Sequence, residues 1–122
     1  MSLELKKDIK YRAFYFSLDV IHFLESLSFR QSIKIISDQL IRSVTSIGAN
    51  IVEARGSSSK KEFLKFIQIS LKSSFEVTYW LALLDELLLD RKEEMAKLKS
   101  EANEINKILN SSVLTLKGCK KL

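Results

Sequence analysis

Four basic residues crowd one short stretch of the chain: Arg55, Lys60, Lys61 and Lys65, with only Glu53 and Glu62 among them. Cations grouped in this way suit a phosphate backbone, which is held by charge and not by base identity. On a single chain such a cluster is more often an ordinary solvated face. Other residues able to do chemistry are sparse. His22 is the sole histidine, with Asp19 three residues before it and no second copy of the pair. The paired Glu-x-x-His ligands of a di-iron bundle are therefore missing, and a surface or interface histidine is the simpler reading. Serines are plentiful, but a nucleophile needs an activating base, and the lone histidine sits in no partner motif. Gly56 stands isolated, so no glycine-rich phosphate loop exists. The single cysteine, Cys119, excludes an intrachain disulfide framework and a cysteine-based zinc site. It lies among Lys117, Lys120 and Lys121 and reads as an incidental thiol near a terminus. The expectation is a protein that is not an enzyme and takes no cofactor.

The elements that must position these residues follow from composition. A chain of 122 residues allows one domain. With 46% hydrophobic residues it is too apolar for intrinsic disorder. It contains no proline and three glycines, too few turn residues for a sandwich or barrel, so a few long helices are expected. The net charge of +5 and pI near 9.4 are compatible with an acidic partner. The segment Met1–Asp8 has no apolar signal core, and no apolar run reaches membrane-spanning length. A soluble, cytoplasmic domain without membrane contact is expected.

Three breaks divide the chain. Phe29-Arg30-Gln31-Ser32 separates two apolar-periodic stretches, with Ser32 as the expected N-cap. Arg55-Gly56-Ser57-Ser58-Ser59 is the only Gly/Ser cluster. Gly56 suits a left-handed helix stop there, and Ser59 with Glu62 reads as a capping box. The last break, near Leu89-Asp90-Arg91, carries a similar pattern in Asp90 and Glu93. The predicted helices span 8–27, 33–55, 60–88 and 91–117, about 30 to 43 Å each at about 1.5 Å per residue. Short connections make successive helices antiparallel. The fold class expected is all-α, an up-down-up-down four-helix bundle.

The third predicted helix carries a complete seam: Phe63, Ile67, Ser70, Ser74, Val77, Leu81, Leu84 and Leu88. Further apolar stripes run beside it, through Phe66, Ile69, Leu83 and Leu87, and through Leu64, Leu71, Phe75 and Ala82. A helix of a lone bundle buries one face about 100° wide. One that is apolar most of the way round implies self-association. The second predicted helix instead has a polar stripe beside its core seam: Gln39, Ser43, Ser46, Asn50 and Glu53. Gly48 lies within that helix at a cost of about 1 kcal/mol relative to alanine, which points to a steric requirement. With the turn at 56–58, Arg42 is about level with Ser73 and Gln39 with Glu76. Either could then bond Glu76 and fix the helix register. Tyr79 and Trp80 read as packing or interface anchors.

The string Gln39-Leu40-Ile41-Arg42-Ser43, Thr45-Ser46-Ile47-Gly48-Ala49-Asn50-Ile51 and Glu53-Ala54 resembles the 23S rRNA intervening-sequence protein family. Ser59, Phe63, Leu71-Lys72-Ser73, Glu76 and Tyr79-Trp80-Leu81 match the second half of the same signature. Tyr11-Arg12-Ala13-Phe14, Phe16 and Leu18 also fit, so that the resemblance covers about residues 10–90. Val44 departs from the family's frequent glycine, and Val77 and Thr78 are switched relative to its common form. The resemblance implies a bacterial, antiparallel four-helix bundle assembled as a homopentameric ring, with no established enzymatic activity. A ring would multiply the +5 of each chain and repeat the basic patch around an axis. The function expected is a homo-oligomeric bundle that binds RNA or DNA, or scaffolds, through Arg55, Lys60, Lys61 and Lys65. The rival is a protein-protein adaptor that touches no nucleic acid.

Overall fold

In a computed structural model that describes residues 8–118, four helices account for nearly all of the chain. They are α1 (Ile9–Glu25), α2 (Gln31–Arg55), α3 (Lys60–Leu87) and α4 (Lys92–Leu116), joined by segments 26–30, 56–59 and 88–91. The fold is all-α, and no strand occurs among the described residues. Lys120, Lys121 and Cys119, singled out in the sequence, lie outside the described residues.

Two of the helix starts are held by side-chain caps. Asp8 accepts a hydrogen bond from the Lys10 amide at 2.9 Å, and Ser59 accepts one from the Glu62 amide at 3.1 Å. The other two starts differ from expectation. α2 begins at Gln31 behind Arg30, so Ser32 lies within its first turn and caps nothing. α4 begins behind Arg91, not Asp90, and neither Arg30 nor Arg91 caps with its side chain. Arg91 acts on a longer range. It binds Glu94 at 2.6 Å, donates to the Ser26 hydroxyl at 2.7 Å and lies over the Phe23 ring. One guanidinium thereby replaces a local cap and ties the third turn to the end of α1.

Gly56 ends α2 without the left-handed conformation expected of it, at φ −89°. The reason lies in the next residue, whose amide and hydroxyl both bond the Ala54 carbonyl, so the last turn is satisfied without a reversal. Among the described residues, the positive φ belongs to Gly118, beyond α4.

The core runs the length of the helices. Phe16, Val20, Leu40, Val44, Ile47, Ile51, Val77, Leu81, Leu84, Met95, Ile105 and Leu109 are almost wholly buried. Of the seam expected on the third helix, Ile67, Ser70, Ser74, Val77, Leu81, Leu84 and Leu88 are buried and Phe63 packs at its edge. Neighbouring helices run in opposite directions. Residue numbers rise along α2 as they fall along α3 in the pairs Ser43–Glu76, Ser46–Ser73 and Ile47–Ser70. Ser74–Asn106 and Asp85–Lys99 do the same for α3 and α4. Asp8–Arg55 and Ser17–Val44 do so for α1 and α2.

Candidate functional site

The polar stripe of α2 meets a serine-rich face of α3. The Ser46 and Ser73 hydroxyls are 2.8 Å apart, and Ser70 donates to the Ile47 carbonyl at 2.9 Å. Asn50 donates its amide to the carbonyl and hydroxyl of Ser46. Small side chains on both helices let the two axes approach, and each buried hydroxyl finds a partner. Further along, the Ser43 hydroxyl donates to Glu76 at 3.5 Å.

That last contact corrects the expected register. Arg42 is exposed and Gln39 half-buried, and Glu76 meets Ser43 in place of either. The pairing is displaced by one helical turn from a count centred on the loop. Side chains of a helix tilt toward its N-terminus, so in an antiparallel pair they meet where the α3 residue lies further from the turn than its α2 partner. Glu53 is exposed at the far end of the stripe. Gly48 also departs from expectation. A Cβ built on it would lie 3.7 Å from the Ala13 Cβ, an ordinary contact, so packing against α1 does not demand glycine.

The four basic residues divide into two sets. Arg55 grips Asp8 through two bonds, Nη2–Oδ1 at 2.6 Å and Nη1–Oδ2 at 2.9 Å. That guanidinium, followed by the Lys10 amide, holds the Asp8 carboxyl below the usual carboxylate range. Lys60, Lys61 and Lys65 are exposed, and among the described residues none of them is in an ion pair; Lys65 lies over the Phe66 ring at 5.6 Å. Lys61 and Lys65 border a shallow depression with Ser59, Glu62, Leu64 and Gln68, at the start of α3. The opposite end of α3 is different. There Asp85 binds Lys99 and Lys92, and these two ammonium groups hold its carboxyl low.

Tyr79 and Trp80 part company. Tyr79 is 58% exposed, whereas the Trp80 ring packs against the core cluster with its Nε1 enclosed and unbonded among the described residues. An enclosed N–H without an acceptor costs about 1–3 kcal/mol. Trp80 is therefore a packing residue and is not presented for base stacking. Tyr79 and Phe75, one turn apart and each more than half exposed, stand on the outer side of α3.

A second feature was not singled out in the sequence. Between α1 and α2 runs an apolar groove of about 580 Å³ bordered by Tyr11, Phe14, Leu18, Ala49 and Val52. Phe14 is 57% and Val52 55% exposed. The signal was present: Tyr11, Phe14 and Leu18 recur at three- and four-residue spacing beside the small pair Gly48-Ala49. No group of three or more His, Cys, Asp or Glu suited to a metal occurs among the described residues. No helix among them is long and apolar enough to cross a membrane.

Comparison with known proteins gives this arrangement a family. A crystal structure described as a protein with unknown function from the S23 ribosomal protein family of Bacteroides thetaiotaomicron is similar to the chain, with 33% identity and a TM-score of 0.79. The likeness covers 87% of this chain and 98% of that one. Among curated proteins, no significant match occurs. Residues 6–111 match the family described as 23S rRNA-intervening sequence protein, spanning most of α1 through α4 and all of the α2–α3 signature. The chain is a member of the 23S rRNA-intervening sequence protein family.

Proposed function

We propose that this protein is a non-enzymatic, homo-oligomeric helical scaffold that holds nucleic-acid phosphates at the turn between α2 and α3. In this reading an up-down-up-down bundle is the subunit of a ring, and five is the copy number that the family resemblance implies. The observation that carries the phosphate reading is the contrast between the two ends of α3. At the C-terminal end Asp85 pairs with Lys92 and Lys99, whereas at the N-terminal end Lys60, Lys61 and Lys65 are in no ion pair among the described residues, although Glu62 lies in the same turn. Cations gain nothing from the dipole at a helix N-terminus, so their placement there is against local stability. Their charge adds to that of the first-turn amides, and an anion benefits from both. Repetition around a ring would let several such patches engage one strand.

Fluorescence anisotropy with generic single- and double-stranded RNA and DNA, at rising salt, tests the reading. Affinity should fall steeply with salt and vary little with sequence. The triple change of Lys60, Lys61 and Lys65 to alanine should flatten the salt slope by about 2–3 units in log K against log salt, about one per phosphate contact. It should leave the oligomer unchanged. Absence of binding at low salt would remove the nucleic-acid reading, and an adaptor joining other proteins through Phe75 and Tyr79 would take its place.

A further inference from the structure

We propose that the end of the bundle opposite the basic turn docks a cationic amphipathic segment of another protein. The connections 26–30 and 88–91 lie together at that end, where Arg91 donates to the Ser26 hydroxyl at 2.7 Å. Phe29 in the first and Leu89 in the second are 75% and 74% exposed, more than any other large hydrophobic side chain among the described residues. Leu27 and Leu88 beside them already pack on the core, so packing of the bundle accounts for neither tip. Short connections ordinarily take polar turn residues, and two apolar side chains left in water on adjoining loops mark a contact surface. Leu87, 37% exposed, extends it along α3. The tips are held in place: Arg91 also binds Glu94 and lies over the Phe23 ring, and the Ser26 hydroxyl donates to the Phe23 carbonyl.

Charge specifies the partner. Glu25, Glu86, Asp90 and Glu93 are exposed around this end, and none is in an ion pair among the described residues. Of the cations beside them, Arg91 is engaged with Glu94, Lys92 with Asp85 and Lys34 with Asp38, and Arg30 is the exposed exception. This end is therefore acidic in balance, in a chain of net charge +5. Glu25 is the last residue of α1 and Glu86 the last but one of α3. The helix dipole disfavours a carboxylate at both places, so neither serves its own helix. An apolar patch ringed by carboxylates repels phosphate backbones and anionic lipid headgroups, and it attracts lysine or arginine. Neighbouring axes about 8–10 Å apart make the end about 20 Å across, which about 14 residues of helix span. A helix with an apolar face flanked by lysine or arginine meets both demands. The site lies at the opposite end of α3 from Lys60, Lys61 and Lys65, so it does not rest on the phosphate reading.

Fluorescence anisotropy with the full chain and a labelled synthetic amphipathic helix of leucine and lysine, about 14 residues long, tests the docking. The peptide should bind at low salt and be released as salt rises. The tip variant Phe29→Ser with Leu89→Ser should weaken binding about tenfold or more. The charge variant Glu25→Gln, Glu86→Gln, Asp90→Asn and Glu93→Gln should weaken it by a similar factor. All six side chains are exposed, so helicity by circular dichroism should not change. The triple change of Lys60, Lys61 and Lys65 to alanine should leave the peptide bound, and the tip variant should leave affinity for nucleic acid unchanged. The two readings can therefore fail separately. No binding of the peptide, or binding indifferent to the tip variant, would overturn the docking. So would equal losses for a counterpart peptide with glutamate in place of lysine, since the carboxylates would then select nothing. A fall in particle mass of the tip variant by light scattering would give the tips to a second copy. Sedimentation with phosphatidylcholine vesicles that needs Phe29 and Leu89 would give them to a lipid surface. Either result overturns the proposal.

Discussion

Where α2 meets α3, the polar contacts are between small groups: Ser46 with Ser73, Ser70 with the Ile47 carbonyl, Asn50 with Ser46. Where α1 meets α4, the polar tie is long. The Arg12 guanidinium grips Glu101 through two bonds of 2.8 Å, and both side chains remain about a third exposed. The first seam brings the helices into the most extensive contact of the fold, the second into the least. Small neutral groups satisfied internally hold backbones close and are indifferent to salt. A fork of charge spans a wider gap, stays wet and is screened. The α2–α3 pair is accordingly the stiffer half of the bundle, and α1 against α4 the looser joint.

Overfilling the stiff seam gives the largest expected effect. Ser70 is wholly buried, and Ser70→Leu should cost about 1–3 kcal/mol, read as a lowered midpoint in chemical denaturation. An unchanged midpoint would mean that the seam has slack. Next is the charged tie at the helix ends. Asp8→Ala removes an N-cap as well as the partner of Arg55, at about 0.5–2 kcal/mol at neutral pH. The folded-state carboxyl titrates below its ordinary value, so its charge stabilises fully above about pH 4. That part is lost as pH falls through the lower folded value. The gap between wild type and variant should therefore shrink between pH 5 and pH 2, and a constant gap would assign the whole effect to capping.

Gly48→Ala probes the α1 side of α2. An ordinary contact awaits the added methyl, so the monomer should gain about 0.5–1 kcal/mol from helix propensity. A loss of stability would show that α1 lies closer than the geometry allows. Arg12→Ala should have the smallest effect, about 0.2–1 kcal/mol at low salt, and less in 1 M salt. Ser46→Ala on the other seam should show no such salt dependence. Equal salt responses would erase the distinction between the seams.

Sequence periodicity located all four helices, and the buried face of α3 emerged nearly residue by residue, because a spacing of three and four is a direct imprint of one helical face on the core. What it missed were facts about distant partners. Arg55 looked like one of four free cations because Asp8 lies 47 residues away. Asp90 and Glu93 had the spacing of a capping box, but Arg91 found stronger partners in Glu94, Ser26 and the Phe23 ring. Gly56 has the setting of a left-handed stop, but composition cannot tell that Ser57 satisfies the freed carbonyl. The register of Glu76 slipped by a turn because counting along the chain ignores the tilt of side chains. The exposed lysines of α3 were legible, since their neighbours in sequence are also their neighbours in space. Of the groove only the α1 wall, Tyr11, Phe14 and Leu18, carries a sequence signal, since the groove itself exists only once two helices are docked.

The three connections of four or five residues also govern the order of events in time. Each brings neighbouring helices together across a short loop, so most contacts form between segments close in the chain, and folding of such topologies takes microseconds to milliseconds. The exceptions are the Arg12–Glu101 closure, whose residues are 89 positions apart, and the Arg91–Ser26 bond, 65 apart, and these can only complete a bundle already begun. With no proline in the chain, no isomerisation step of tens of seconds intervenes. Encounters between protein copies at micromolar concentration proceed at about 10⁵–10⁷ M⁻¹s⁻¹, and hence take about 0.1–10 s. The bundle is thus finished well before it meets another copy, and any assembly it enters joins closed bundles and does not exchange helices between unfinished ones.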